Sequence, residues 1–394
     1  MKKVIPIVLA IIFSFCLFGC EKKTAVLGIE MDIDYLNIEV GEKRIITASV
    51  LPTTAENKKI EWSSSDEDIA TVKNGYVRAK KKGECKIKAT TKDGSYSKTV
   101  RLVVRERALY VDKSFQKGDE GYGVWQFDTI NGALAAAEED DVIYLNSGEY
   151  REVVNITRNV QIYGDNATII GNITLGYPTL KEYSTEVKIA NITFKSDGYY
   201  PSITIGNECE NVRIENCKFY GDNENHLPAV KTYESGESGA VKKIGVYDCE
   251  FYNYTNALSF NQYVVKGEIE RNKFENCDFA TYLEGSQMTK IYGNSLKNSG
   301  LIEFDGARVL PSGVVIEENS IEDLRQSPLI VARYGDLEKG QKLDISKNLI
   351  NGVKVQDMKG EELKGLKSLI EVKNELTGEG DYEFIEFSNK KKSA

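Results

Sequence analysis

Histidine is almost absent from this chain of 394 residues, and His226 is the only one. Catalytic triads built on histidine and zinc sites with several histidines are therefore excluded. Lysine and arginine total 51 against 60 acidic residues, a net charge of −9, so a broad basic surface for nucleic acid is missing. We expect no nucleic-acid partner. A charged fraction of 28% and a hydrophobic fraction of 41% also exclude a disordered chain and a membrane protein with several spans.

Paired cysteines are also missing. The chain has seven cysteines and no CxxC motif, and two of them fall within the first twenty residues. The remaining five are an odd number, which argues against a disulfide framework and against a zinc site. We therefore expect five free, mostly buried thiols: Cys85, Cys209, Cys217, Cys249 and Cys277.

The N-terminus has the pattern of an export signal. Lys2 and Lys3 precede an apolar run, 4–18, that is too short to span a bilayer. The run ends in Leu-Phe-Gly-Cys, which resembles a bacterial lipoprotein signal, and the resemblance implies removal of 1–19 and lipid attachment at Cys20. A plain secretory signal is the alternative. Residues 20–28 would then be an anchor and linker that holds the protein to the cell membrane, facing outward or, in a Gram-negative host, at the periplasm or outer membrane.

Residues 29–105 predict a small all-β domain. Short alternating strands are separated by turn signals about every ten residues, as in a β-sandwich. The order of Pro52, the segment Trp62–Asp66, Gly75, Gly83 and a closing VRLVV resembles the group 2 bacterial immunoglobulin-like domains. This resemblance implies a spacer without catalytic chemistry.

The rest of the chain predicts a solenoid. Seven segments from residue 187 onward align on one eight-residue template, and their third positions are apolar and lie 22 to 32 residues apart. Recurrence of one template at that period favours stacked coils over a sandwich. The sixth position is asparagine in four successive coils, which predicts an amide ladder along the axis, and two earlier coils have Cys217 and Cys249 there. These segments are 187–194, 212–219, 244–251, 267–274, 289–296, 314–321 and 343–350.

A further strand follows each template, and alternation assigns its faces. One parity is apolar and must face inward, while the other carries charged side chains. Upstream, a short alanine-rich helix at about 129–138 precedes a VIYLNSGEY strand and an RNVQIYG coil, which resembles the entrance of the pectin-lyase-like right-handed parallel β-helix superfamily. The predicted fold is therefore all-β: an Ig-like sandwich and then a right-handed parallel β-helix, 107–380, with a short N-terminal capping helix and a tail, 381–394.

Carboxylates on the outward face of that strand are the candidate catalytic groups. Glu284 and Asp305 would lie on adjacent coils about 4.8 Å apart, and Glu303 and Asp305 roughly 7 Å apart along one strand. Both separations are near those of glycosidase pairs. A lyase would need a base such as Arg333 and acidic residues that hold Ca²⁺, the one candidate cofactor. A solvated ion pair between Asp305 and Arg333 is the alternative.

The expected partner is an extracellular polysaccharide. Lys231, Tyr233, Asn261 and Tyr282 lie on the same predicted face and are the candidate substrate-binding residues. The resemblance implies that the β-helix binds a polysaccharide and could cleave it, by a lyase reaction in preference to glycoside hydrolysis. The alternative is an adhesin that binds glycans without cleaving them. The negative net charge disfavours a strongly anionic ligand unless the groove is locally positive or binds Ca²⁺. We expect a monomer.

Overall fold

The computed structural model describes residues 24–93, 95–176, 186–206, 209–222, 226–232, 241–261, 264–286, 288–306, 313–324, 328–334, 343–374 and 385–387. The chain divides into two compact units, 1–107 and 108–394. The predicted signal, the anchor at Cys20 and Tyr233 lie outside the described residues. Among the described residues, no helix has the length and apolar character needed to span a membrane.

The first unit is an Ig-like domain, as predicted. A four-stranded sheet is formed by the strand that closes the domain, a parallel neighbour and two antiparallel strands. Its core contains Ile38, Ile87, Val100 and Leu102, all buried. The nine strands are Gly28–Met31, Tyr35–Glu39, Lys43–Ile45, Ala48–Leu51, Ile60–Ser64, Ala70–Lys73, Tyr76–Ala79, Gly83–Thr91 and Ser97–Arg105.

The second unit is a parallel β-helix whose coils contribute one strand to each of three sheets. The first sheet comprises Gln126–Phe127, Ala108–Val111, Asp141–Leu145, Val160–Gly164, Glu186–Ala190, Asn211–Glu215, Val241–Tyr247, Val264–Glu270, Lys290–Tyr292 and Val315–Glu317. The second comprises Gly148–Tyr150, Ala167–Ile170, Thr193–Lys195, Lys218–Tyr220, Glu250–Tyr252, Lys273–Glu275, Ser295–Lys297, Ser320–Glu322, Leu349–Ile350 and Val353–Lys354. The third comprises Val153–Ile156, Asn172–Leu175, Ile203–Ile205, Val230–Thr232, Asn256–Phe260, Phe279–Leu283, Gly300–Gly306, Ile330–Tyr334 and Ile370–Asn374.

Each eight-residue template bends between the first and second sheets. The fifth template position has a positive φ in six coils, so one residue in the left-handed conformation makes the corner. Asparagine and aspartate tolerate this conformation because their short polar side chains bond locally. The corner residues are Asn191, Asn216, Asp248, Arg271, Gly293 and Glu318. Each template therefore contains two strands, and the strand of the third sheet is the third strand of each coil.

The interior has two stacks of side chains, of which the templates predicted the amide ladder and not the aromatic one. The predicted inward residues of the third sheet are buried wherever their side chains are described. At the eighth template position, Phe194, Phe219, Phe251 and Phe274 stack ring on ring, with centroids 4.8 to 4.9 Å apart. At the sixth position the predicted amide ladder is confirmed. The five predicted thiols are buried, and none of them forms a disulfide.

Short elements lie at both ends of the solenoid. Helix α1, Ile130–Ala136, is capped by Thr129 and buries Ile130, Ala133 and Leu134 in the solenoid core, as expected of a capping helix. Near the other end, residues 355–357 form a 3-10 turn and Gly360–Ser368 forms helix α2, which the sequence analysis did not predict. The strand Ile385–Glu386 pairs with Leu343–Asp344, so chain beyond residue 380 still contributes to this unit.

The outward face of the first sheet is held by ion pairs between neighbouring coils. Lys243 and Lys266 lie 2.9 and 2.7 Å from the carboxylate of Glu268, to which the Tyr247 hydroxyl also donates. Burial alone would raise the pKa of Glu268, but the bonds from Lys266, Tyr247 and Lys243 outweigh it and lower the pKa to about 2. Because the pKa is lowered by folding, this group stabilises the fold at neutral pH and ceases to do so at acid pH.

We expect Glu268→Gln to destabilise the protein at neutral pH by up to about 2 kcal/mol, after allowance for solvent screening. The difference in the free energy of unfolding between variant and parent should shrink as the pH falls from 4.5, the ordinary pKa of glutamate, towards about 2, the pKa of Glu268 in the folded protein. Urea titrations at several pH values measure this, with Glu361→Gln, a side chain 90% exposed, as the control. A difference that stays constant with pH would contradict the assignment.

Candidate functional site

The outward row of the third sheet has the predicted register. Thr204, Lys231, Ser259, Tyr282 and Glu303 occupy the same position on successive coils. The row continues to Val331 and Glu371 and, upstream, to Thr174 and Asn155. The upstream coils matter because a cavity of this face lies there, around Lys231.

This groove has a volume of 770 Å³ and covers the third-sheet face of the first four coils. Among the described residues, its lining includes two amide and three hydroxyl side chains together with Lys231, and no carboxylate. The lining residues are Val153, Asn155, Asn172, Thr174, Gly176, Tyr200, Pro201, Thr204, Gly206, His226, Leu227, Pro228 and Lys231. Such a surface offers many hydrogen bonds and one positive charge.

The floor of the groove is fixed by bonds within the coils. The Asn172 amide donates to the carbonyl of Pro201 at 2.6 Å and to the Thr204 hydroxyl at 3.1 Å, while the Thr174 hydroxyl donates to its oxygen at 2.5 Å. Gly206 lies so close to the coil below that a Cβ there would be 1.8 Å from the carbonyl oxygen of Gly176. The polar groups are therefore held in place before any ligand arrives.

Lys231 differs from most of the lysines on the coils. Lys188, Lys218, Lys243 and Lys290 each pair with a glutamate. Lys231 is half-buried, and among the described residues it has no ion-pair partner. A partly desolvated cation in a cavity without carboxylates attracts an anion.

A second cluster lies further along the same sheet. Arg333 donates to Glu303 at 2.5 Å, and the Asn256 amide approaches the other carboxylate oxygen at 3.4 Å. The Glu303 side chain is 13% exposed. The described partner of Arg333 is thus Glu303, although the backbone register puts Arg333 opposite Asp305, whose side chain lies outside the described part of the chain.

The structure separates the predicted site residues into two groups. The register places Lys231 four coil steps from the coil of Arg333, roughly 19 Å, so these two cannot act on one bond. Tyr282 lies between them. Asn261 is buried, and its backbone N–H donates to the Thr232 hydroxyl at 2.8 Å. The backbone N–H of Glu284 donates to Phe260, one coil below.

Two residues of the groove were not among the predicted site residues. His226 makes a 2.7 Å bond between Nδ1 and the Thr255 hydroxyl and lines the groove. Tyr200 lines the groove wall and is 55% exposed. Extending the outward row upstream of Thr204 would have led to this region. Within the described residues, no group of three or more His, Cys, Asp and Glu side chains could hold a metal ion.

Family models match both units. The model for the group 2 bacterial Ig-like domain matches residues 25–102, and the model for the right-handed β-helix region matches 202–360. The chain therefore carries a bacterial Ig-like domain followed by a right-handed β-helix region, in the order that the sequence predicted.

Similarity to individual proteins is limited to short segments. The chain is 40% identical over 72 residues to a 3-O-alpha-D-galactosyl-alpha-L-arabinofuranosidase of Bifidobacterium longum, covering 18% of this chain and 6% of that protein. It is 36% identical over 70 residues to the kappa-carrageenase of Pseudoalteromonas carrageenovora, 18% of each. A Bacillus cereus uncharacterized protein is 30% identical over 76 residues, 18% of this chain and 58% of that protein. The chain spans less than two thirds of each relative.

Proposed function

We propose that the β-helix binds an extracellular polysaccharide with anionic groups in the third-sheet groove. The observation that carries the proposal is Lys231, which has no ion-pair partner among the described residues and lies in a cavity whose described lining includes amides and hydroxyls and no carboxylate. The local positive charge removes the objection raised by the net charge of −9. Two short-segment relatives named as a carrageenase and an arabinofuranosidase support a polysaccharide ligand.

Lys231→Gln should weaken binding of an anionic polysaccharide about tenfold, since a charge-assisted hydrogen bond is lost. Titration calorimetry with polygalacturonate, and with a neutral galactan for comparison, measures the effect at two salt concentrations. Lys218→Gln is the matched control, because Lys218 also points outward but is already paired with Glu250 at 3.1 Å. Equal affinity of the parent for both polymers, or equal losses in both variants, would contradict the proposal.

Cleavage of the bound polymer is a second candidate function, for which Glu303 and Arg333 are the candidate catalytic groups. Both oxygens of Glu303 already face donors of this chain, which suits binding better than proton exchange. Incubation with uronate and neutral polysaccharides, with and without Ca²⁺, separates the cases. Ultraviolet absorbance of an unsaturated product together with new reducing ends indicates a lyase, and reducing ends alone indicate a hydrolase. Binding without either signal would support the alternative of a non-catalytic adhesin.

We also propose that the protein is a lipoprotein held to the membrane through Cys20, with the Ig-like domain as a spacer. The apolar run, 4–18, and the following Gly-Cys support this. Cys20→Ala should move the protein from the membrane fraction to the soluble fraction of the producing cells. Unchanged fractionation would instead favour a plain secretory signal or another mode of attachment.

A further inference from the structure

A second cavity of 520 Å³ adjoins the groove at the corner between the second and third sheets. Val153 lines both cavities. On the next two coils, Gly171 and Tyr199 line the corner cavity, and the residues that follow them, Asn172 and Tyr200, line the groove. The two cavities therefore adjoin at this corner, and the step from one to the other runs around the coils.

Two tyrosines form the ridge between the cavities. Tyr199 is 80% and Tyr200 is 55% exposed. Their backbone N–H groups donate to one carboxylate oxygen of Asp197, at 2.9 and 3.1 Å, which fixes the loop. Rings presented on a fixed backbone offer apolar area to a sugar at low entropic cost.

The corner cavity also presents two exposed cationic side chains. Arg151 and Lys195 line it and share one carboxylate, that of Glu149, at 3.6 and 3.2 Å. Both pairs are exposed and therefore weak. The other two carboxylates of the cavity are engaged by backbone N–H groups: Glu152 accepts from the start of helix α1, and Asp197 accepts within its own loop.

We propose that the anionic polysaccharide crosses the coil stack, from Lys231 over the ridge of Tyr199 and Tyr200 to Arg151 and Lys195. This inference rests on the proposed function and adds the direction of the chain and a second anionic subsite. Around one coil the path extends from Ile170 to Gly176, at most roughly 20 Å at about 3.3 Å per residue. Along the axis, Lys231 lies three coil steps, roughly 14 Å, from the coil of Arg151, so the path is oblique and accommodates several sugar rings. The alternative path follows the third sheet towards Tyr282.

The test compares oligogalacturonates of two and six units by calorimetry on the full-length protein. Tyr199→Ala and the double variant Arg151→Gln/Lys195→Gln should each weaken hexamer binding about tenfold and leave dimer binding unchanged. Tyr282→Ala should change neither. Tyr76→Ala, a ring 63% exposed on the Ig-like domain, is the control, and circular dichroism verifies that each variant is folded.

Three outcomes would overturn the crossing path. If Tyr282→Ala alone weakens hexamer binding, the ligand follows the sheet axis. If only Lys231→Gln has an effect, or if dimer and hexamer bind equally well, the groove binds sugar but the corner cavity is not a subsite. If neither oligomer nor a sulfated galactan hexamer binds, the proposed function fails as well. Hexamer binding by the sulfated galactan alone, with the same variant pattern, supports the path and identifies sulfate as the recognised anion.

Discussion

Replacing Phe219 by alanine should lower the free energy of unfolding by about 4 kcal/mol. The ring is fully buried and stacks between Phe194 and Phe251, with both centroid distances at 4.8 Å. Its removal leaves a cavity in the middle of the aromatic column, and the adjacent coils, held by parallel strands on three sides, cannot collapse to fill it. Urea titration followed by far-ultraviolet circular dichroism measures the loss.

The matched control is the next residue in the same strand. Tyr220 points outward, is 39% exposed and stacks on Tyr252 at 5.0 Å. Tyr220→Ala also removes a ring from a stack between coils, but it opens no interior cavity, so we expect a loss of only about 1 kcal/mol. Similar losses for the two variants would show that stacking between coils, and not burial, determines the stability of the column.

Strand parity and the repeated template predicted the β-helix because most inward positions are apolar in successive coils, while the outward positions are mostly polar. The bend inside the template was missed because its corner residue changes from Asn191 to Arg271 to Gly293, so no single residue type marks it. Its left-handed conformation follows from closure of the coil. A conformation required by closure can be met by several residue types, and the sequence signal is then weak.

The groove was missed for a related reason. The coil that starts at Val160 needs ten residues to reach Ile169, where the next coil needs only eight from Val187 to Phe194, so it does not fit the template. Without that coil, the outward row could not be extended to Thr174 and Asn155. The Glu303–Arg333 contact was not predicted for another reason. The sequence predicts which coils are neighbours, but whether Arg333 contacts Glu303 or Asp305 depends on side-chain rotamers.

The amide ladder gives the second large expected effect, on replacing Asn319 by alanine. Its oxygen accepts from the backbone and side-chain nitrogens of Asn294, and its nitrogen donates to the side-chain oxygen of Asn348 at 2.8 Å and to the carbonyl of Ile291 at 3.0 Å. All of these partners are buried, and alanine leaves the backbone N–H of Asn294 without its acceptor, while the side-chain oxygen of Asn348 keeps only the bond from the backbone N–H of residue 319. We expect a loss of about 3 kcal/mol or more, measured by urea titration.

Asn319→Cys should fall between the parent and Asn319→Ala. The same column already contains thiols, and Cys249 accepts from the backbone N–H of Cys217 at 3.4 Å and lies 3.2 Å from the carbonyl of Tyr247. A thiol thus satisfies part of the bonding of the column, though more weakly than an amide. Asn298→Gly is the control, because its exposed amide bond to Asn276 is 3.0 Å long and glycine tolerates its φ of 48°. If that variant costs as much as Asn319→Ala, the ladder stabilises the solenoid through contact between coils and not through burial of its hydrogen bonds.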